Sequence, residues 1–143
     1  MSSSEDPRAD DRYRRGLNIL HRRNGGTVDA ATSKLAEIAP DFARMTVEFQ
    51  FGDLFARPAL DARTREIAAI AALATLGHAV PQLRAHVAAA LGAGCRREEI
   101  VEVLMQISAH AGMPVAANAL VACHDLLVEG GDCVRCQPGD GQV

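Results

Sequence analysis

The chain has 143 residues, 48% of them hydrophobic, which is enough for one domain to bury a core of its own without a framework of disulfides. A formal charge of -3, one Tyr, four Phe and no Trp leave neither a basic footprint nor stacking platforms, so nucleic acid is excluded as an expected partner. With so few aromatics, core volume has to come from Ala, Leu, Val and Ile, and that favours closely spaced helices.

Residues 1–10 mix Ser, Asp, Glu and Pro without an apolar stretch and read as a disordered arm lacking the features of a signal peptide. "RYRRGLNILHRR" places Tyr13, Leu17 and Leu20 at helical spacing and runs into "NGG", a stop signal. "PDFARMTVEFQFGDLFARP" reads as a second helix, opened by Pro40 and closed by Pro58.

"LDARTREIAAIAALATLG" should be the central helix. Asp61 is placed to cap it and Gly77 to end it, and from Ile67 to Leu76 it is apolar nearly all round, as expected of a helix enclosed on every side. In so small a chain, part of that cover is expected from another subunit. The next helix carries Leu83, Val87, Ala90 and Leu91 on one stripe and ends at Gly92 and Gly94. A further one, Arg97 to Ala111, has Ile100, Val103, Leu104 and Ile107 and stops at Gly112. The last starts with Pro114 in its first turn, packs through Leu120, Cys123 and Leu127, and ends at Gly130. Residues 130–143 read as a flexible Gly- and Cys-containing tail, leaving 11–129 as the folded domain. No segment alternates with period two, so the expected class is all-α. The longest apolar run is too short to cross a bilayer, and a cytoplasmic protein without a membrane partner is expected.

Polar residues on the two penultimate helices need an explanation. Glu99, Val103, Gln106 and His110 step by four, three and four along one helix edge, and His86 borders the apolar face of the helix before. If those two helices are antiparallel neighbours, His86 and Gln106 or His110 face one space. The bland alternatives are a packing histidine, an interhelical glutamine, and Glu99 as a complement to the helix dipole.

The blocks "RYRRGL", "FGDLFARPALDARTREI" and "LRAHVAAALGAGCRREEIVEVLMQISAHAGMPVAANAL" resemble the carboxymuconolactone decarboxylase family over roughly residues 11–129. The resemblance rests on an Arg-Pro-x-Leu-Asp-x-Arg-x-Arg entry, a His after a Leu-Arg pair, a Gly-x-x-x-Glu-Glu-Ile turn and a Gln-x5-Gly-x-Pro-x-Ala junction. It implies an all-helical subunit in a homotrimer or homohexamer, and a lyase that decarboxylates γ-carboxymuconolactone, or a related small carboxylated lactone, in aromatic catabolism without metal or organic cofactor. Such chemistry needs groups that orient carboxylates, a donor to the developing oxyanion and a general acid held away from bulk water. On this reading His86 is the proton donor or oxyanion partner, Arg63 and Arg65 grip substrate carboxylates, Glu66 tunes His86 or acts as a base, and Gln106 and His110 complete the polar wall. Arg96 replaces the Thr usual before Glu-Glu-Ile, His110 stands where an aromatic is common, and "GHAVPQLRAH" is one residue longer, bringing in His78 and Pro81.

Three alternatives accompany this expectation. The related alkyl hydroperoxidase D-like proteins use a Cys-x-x-Cys just ahead of the histidine, but "HAVPQLRAH" has no cysteine there. The Cys133/Cys136 pair has dithiol spacing yet lies in the tail. Cys123, His124, Cys133 and Cys136 have zinc-type spacing, although adjacent Cys123 and His124 diverge on a helix. A non-catalytic helical ring that binds a small ligand is the third.

Overall fold

The structure, a computed structural model, describes residues 7–24 and 30–128; the expected arm up to residue 6 and the tail with Cys133 and Cys136 lie outside the described residues. Among those described, all regular structure is helical: α1 (Pro7–Arg23), α2 (Ala30–Ile38), α3 (Pro40–Thr46), a π-helical stretch π1 (Val47–Phe55), α4 (Ala62–Leu76), α5 (Val80–Gly92), α6 (Arg97–Gln106), α7 (Ser108–Ala111), α8 (Met113–Ala122) and α9 (His124–Leu127). Helix α1 starts at Pro7, inside the stretch expected to be an arm. No described helix is long and apolar enough to cross a membrane.

The caps of the central helix form as its residues dictate. The Asp61 carboxylate accepts from the Thr64 N–H at 2.7 Å, and Gly77 ends α4 at φ 76°, a conformation that a side chain would strain. The run between Pro40 and Pro58 is helical as its pattern predicts, but it widens to π geometry from Val47 onward. Two other expected helices break. Ile107 separates α6 from α7, and Cys123 separates α8 from α9. Pro81, the insertion noted in the sequence, sits in the first turn of α5, where its missing N–H costs nothing.

Two apolar clusters result. The larger joins α4, α5, α6 and α8 through Ile70, Leu83, Val87, Ile100, Leu104, Ala116 and Cys123. The smaller joins α1 to π1 through Leu20, Val47 and Phe51, with Leu17 and Phe55 packed on it. Within the single chain α5, α6 and α8 cover only part of the circumference of α4 and leave Ala68, Ala72, Thr75 and Leu76 exposed, the face for which cover from another subunit is expected.

The contact between α1 and π1 is made at backbone distance. A Cβ at Gly52 would meet the Arg12 carbonyl oxygen at 2.5 Å, and one at Gly16 would meet the Val47 carbonyl oxygen at 2.4 Å. Around that contact Arg12 grips Asp53 (Nε–Oδ1 3.1 Å, Nη2–Oδ2 2.5 Å), and Arg15 donates to the Gly52 carbonyl at 2.6 Å. In a helix Ala ordinarily outdoes Gly by about 0.5–1 kcal/mol. At Gly52 the obstacle is backbone, which cannot rotate away, so Gly52→Ala is expected to destabilise by about 1–3 kcal/mol. Gly92→Ala, which meets nothing within 4 Å, is expected to be neutral or mildly stabilising. Urea unfolding of both variants checks the contrast; equal midpoints would contradict it.

Candidate functional site

The site lies where the two clusters meet. Arg23 closes α1, Phe51 and Phe55 come from π1, Glu66 stands in the second turn of α4 and His86 in the second turn of α5. Glu66 is the fully buried ionisable residue of the set, with its side chain 2% exposed; the side chains of Arg23 and His86 are 8% and 9% exposed. A carboxylate so placed must be paired, and it is paired twice. Arg23 donates through Nε to Oε1 at 2.7 Å and through Nη2 to Oε2 at 3.3 Å, while His86 Nδ1 lies 2.7 Å from Oε2.

Burial pushes Glu66 up, but the hydrogen bonds from His86 and Arg23, together with their charge, outweigh it and hold the carboxyl below its ordinary value. An ionised carboxylate only accepts, so Nδ1 carries the proton and donates. That fixes the tautomer and leaves Nε2 as the imidazole nitrogen without a hydrogen bond to any described residue. Aromatic rings complete the setting. Phe55 packs against His86 (centroids 6.4 Å apart, 47° between planes), and the Arg23 guanidinium lies 5.6 Å from the Phe51 centroid.

A cavity of about 440 Å³ opens against this chain of groups, lined by Ile19, Arg22, Arg23, Phe55, Glu66 and the small residues Ala62, Ala89 and Gly92 among others. Its volume falls in the range of small-molecule sites. His86 lies one side chain behind the wall, in contact with the lining residues Glu66 and Phe55.

Of the residues singled out in the sequence, the structure brings Glu66 and His86 together and adds Arg23, which sequence reasoning had not picked out. The other four are placed elsewhere in the single chain. Arg63 pairs with Glu99, whose carboxyl is held at about 2 by the Arg96 N–H and by Arg63. Glu99 thus acts as the first-turn complement of α6. Arg65 donates to the carbonyls of Arg57 (2.7 Å) and Leu60 (3.2 Å) and lies 5.9 Å from the Phe55 centroid, so it holds the turn before α4. Gln106 and His110 are exposed, and neither lines the cavity nor bonds to His86. The antiparallel pairing expected to bring them to His86 is replaced by packing of α6 on α4 and α8.

Of the zinc-type set, Cys123 and His124 lie within the described residues and Cys133 and Cys136 outside them. Cys123 is fully buried in the larger cluster, where burial pushes its thiol up, and His124 is exposed. No group of three or more His, Cys, Asp or Glu suited to a metal ion occurs among the described residues.

Comparison with known proteins adds the following. Residues 40–125 match the carboxymuconolactone decarboxylase family. The chain is 32% identical over 109 residues to a protein of Acinetobacter baylyi named 4-carboxymuconolactone decarboxylase, covering 76% of this chain and 80% of that one. It is 35% identical over 96 residues to an uncharacterised 15.0 kDa protein encoded in the nqo9-nqo10 intergenic region of Paracoccus denitrificans, covering 66% of this chain and 72% of that one.

Truncating Glu66 leaves Arg23 and His86 buried without their carboxylate. Glu66→Ala is therefore expected to lose about 3–5 kcal/mol of stability at pH 7, and Glu66→Gln, which keeps the shape, to lose less. The sign with pH follows from the lowered value. The contribution of the ionised carboxylate is complete above its ordinary value of 4.5 and disappears as pH falls through the lower folded value. The stability gap between the parent and Glu66→Gln should close on acidification below about pH 4.5; denaturant titrations that keep the gap constant down to pH 3 would contradict this.

Proposed function

The chain belongs to the carboxymuconolactone decarboxylase family, and from that premise we propose that it is a decarboxylase of a small carboxylated lactone, γ-carboxymuconolactone or a close relative. The observation that carries this reading is the buried Arg23–Glu66–His86 chain set against a cavity of small-molecule size. In the reaction the bond between the ring carbon and its carboxylate breaks and CO2 leaves. The electron pair moves through the ring double bond onto the lactone carbonyl oxygen, giving a dienolate. A proton is then added at the carbon next to that carbonyl, and the product is an enol-lactone.

The protein's part is electrostatic and protolytic. His86, one side chain behind the cavity wall, is the general acid of this reading: with Nδ1–H held on Glu66, its Nε2 is the nitrogen left to give and regain a proton. The reacting carbon has to approach it past the lining residues Glu66 and Phe55. Glu66 orients the imidazole and balances its charge during transfer. Arg23, held on Glu66, keeps that carboxylate ionised although it is buried. Phe55 and the Ala and Gly lining shield the dienolate from water, where electrostatic contacts are weaker. Arg63 and Arg65 support the start of α4. Assembly of several copies is part of the same proposal; exposed Ile38, Phe42, Met45 and Phe49 recur at helical spacing along α2, α3 and π1 and support it.

Purified protein mixed with γ-carboxymuconolactone in the presence of a chelator is expected to release CO2. His86→Ala is expected to lower kcat by about 10²- to 10⁴-fold, the usual contribution of a positioned general acid. No turnover by the parent, or full turnover by His86→Ala, would overturn the proposal.

A further inference from the structure

Three charged residues line the cavity: Arg22, Arg23 and Glu66. Arg23 and Glu66 neutralise one another at 2.7 Å, which leaves Arg22 as the uncompensated charge of the wall. Arg22 is exposed, and its hydrogen bond within the described residues runs from Nε to the Asn18 carbonyl of its own helix, 3.2 Å away. That bond leaves both terminal guanidinium nitrogens available, and no described carboxylate pairs with them. Other arginines of the fold differ: Arg12 is held by Asp53, Arg63 by Glu99, Arg84 by Asp125, and Arg65 by two carbonyls.

Ala62, the first residue of α4, contributes to the lining, and the start of that helix is already capped by the Asp61 carboxylate, which accepts from the Thr64 N–H at 2.7 Å. At the end of α5 the carbonyls of Ala89, Ala90 and Leu91 are occupied by the N–H groups of Ala93, Gly94 and Cys95. The cavity is a small, mostly apolar space with one positive charge unpaired among the described residues, Arg22, at its edge, placed to take one carboxylate of a ligand.

Resting on the decarboxylase reading, we propose that Arg22 binds the carboxylate that the substrate retains, and so restricts the cavity to lactones bearing a second acidic arm. The choice between the two carboxylates follows from the chemistry. A strong ion pair on the departing carboxylate stabilises the ground state and loses its partner as CO2 forms, which raises the barrier. An ion pair on the retained carboxylate is equally strong before and after bond cleavage, so it supplies binding and orientation without that penalty. Arg22 is thus a specificity residue, and its planar fork suits a carboxylate at the edge of the site.

The test uses muconolactone, which keeps the lactone and the acetate arm but lacks the ring carboxylate and so cannot undergo the reaction. Calorimetric titration is expected to show binding by the parent and a loss of about ten- to a hundredfold in affinity for Arg22→Ala, the range of a charged hydrogen bond. Arg22→Lys should recover part of that loss, and the methyl ester of muconolactone should not distinguish parent from Arg22→Ala. With γ-carboxymuconolactone, Arg22→Ala should raise KM by a similar factor and change kcat much less. If the parent turns over γ-carboxymuconolactone while Arg22→Ala leaves both KM and muconolactone affinity unchanged, this inference falls and the decarboxylase reading stands. If the parent shows no turnover yet binds muconolactone through Arg22, the decarboxylase reading falls and the carboxylate site stands. Absence of muconolactone binding by the parent overturns the inference as well.

Discussion

A carboxylate with 2% of its side chain exposed has to be neutralised where it sits, and the arrangement of this fold around Glu66 follows from that requirement. Its two oxygens draw Arg23 from the end of α1 and His86 from α5 to the same point on α4. The smaller apolar cluster, which joins α1 to π1, is thereby fastened to the larger one by charged hydrogen bonds as well as by packing. The same contacts that satisfy Glu66 orient the imidazole, so the structural constraint and the proposed chemistry share their atoms.

The π1 segment explains how two rings reach this point. Close approach of α1 and π1 depends on Gly16 and Gly52, where a side chain would collide with backbone. That approach sets Phe51 beneath Arg23 and Phe55 beside His86 and along the cavity. π-helical stretches are rare and recur at functional sites, and here the wider turn re-aims successive aromatic side chains into the seam between clusters.

Much of the helical order could be read from local signals, because caps and stops are local. Asp61, Gly77, Gly112 and Pro114 act on their immediate neighbours and mark element ends wherever the chain goes. Helix α2 escaped notice: its nine residues have only a weak amphipathic pattern. The widening at Val47 also escaped, since a 3.6-residue pattern does not reveal one extra residue per turn. For the site, His86 is legible as a polar group at the border of an apolar stripe and Glu66 only through the family resemblance, whereas Arg23 reads as one more basic residue in a last turn. Its partner is 43 residues away, and no local pattern encodes such a pairing. Gln106 and His110 show the converse. Helical spacing places them on one edge of a helix, but which neighbour that edge meets is decided by tertiary packing, and α6 turns it outward.

The central claim is that ionised Glu66 fixes the proton on Nδ1 of His86 and leaves Nε2 free for transfer. Nitrogen-15 NMR of protein labelled in its histidine rings, recorded at a pH where His86 is neutral, reports which nitrogen carries the proton. The account predicts that Nδ1 is the protonated nitrogen of His86 in the parent, and that Glu66→Ala lets the ring populate both tautomers. A parent spectrum with the proton on Nε2 would contradict the claim.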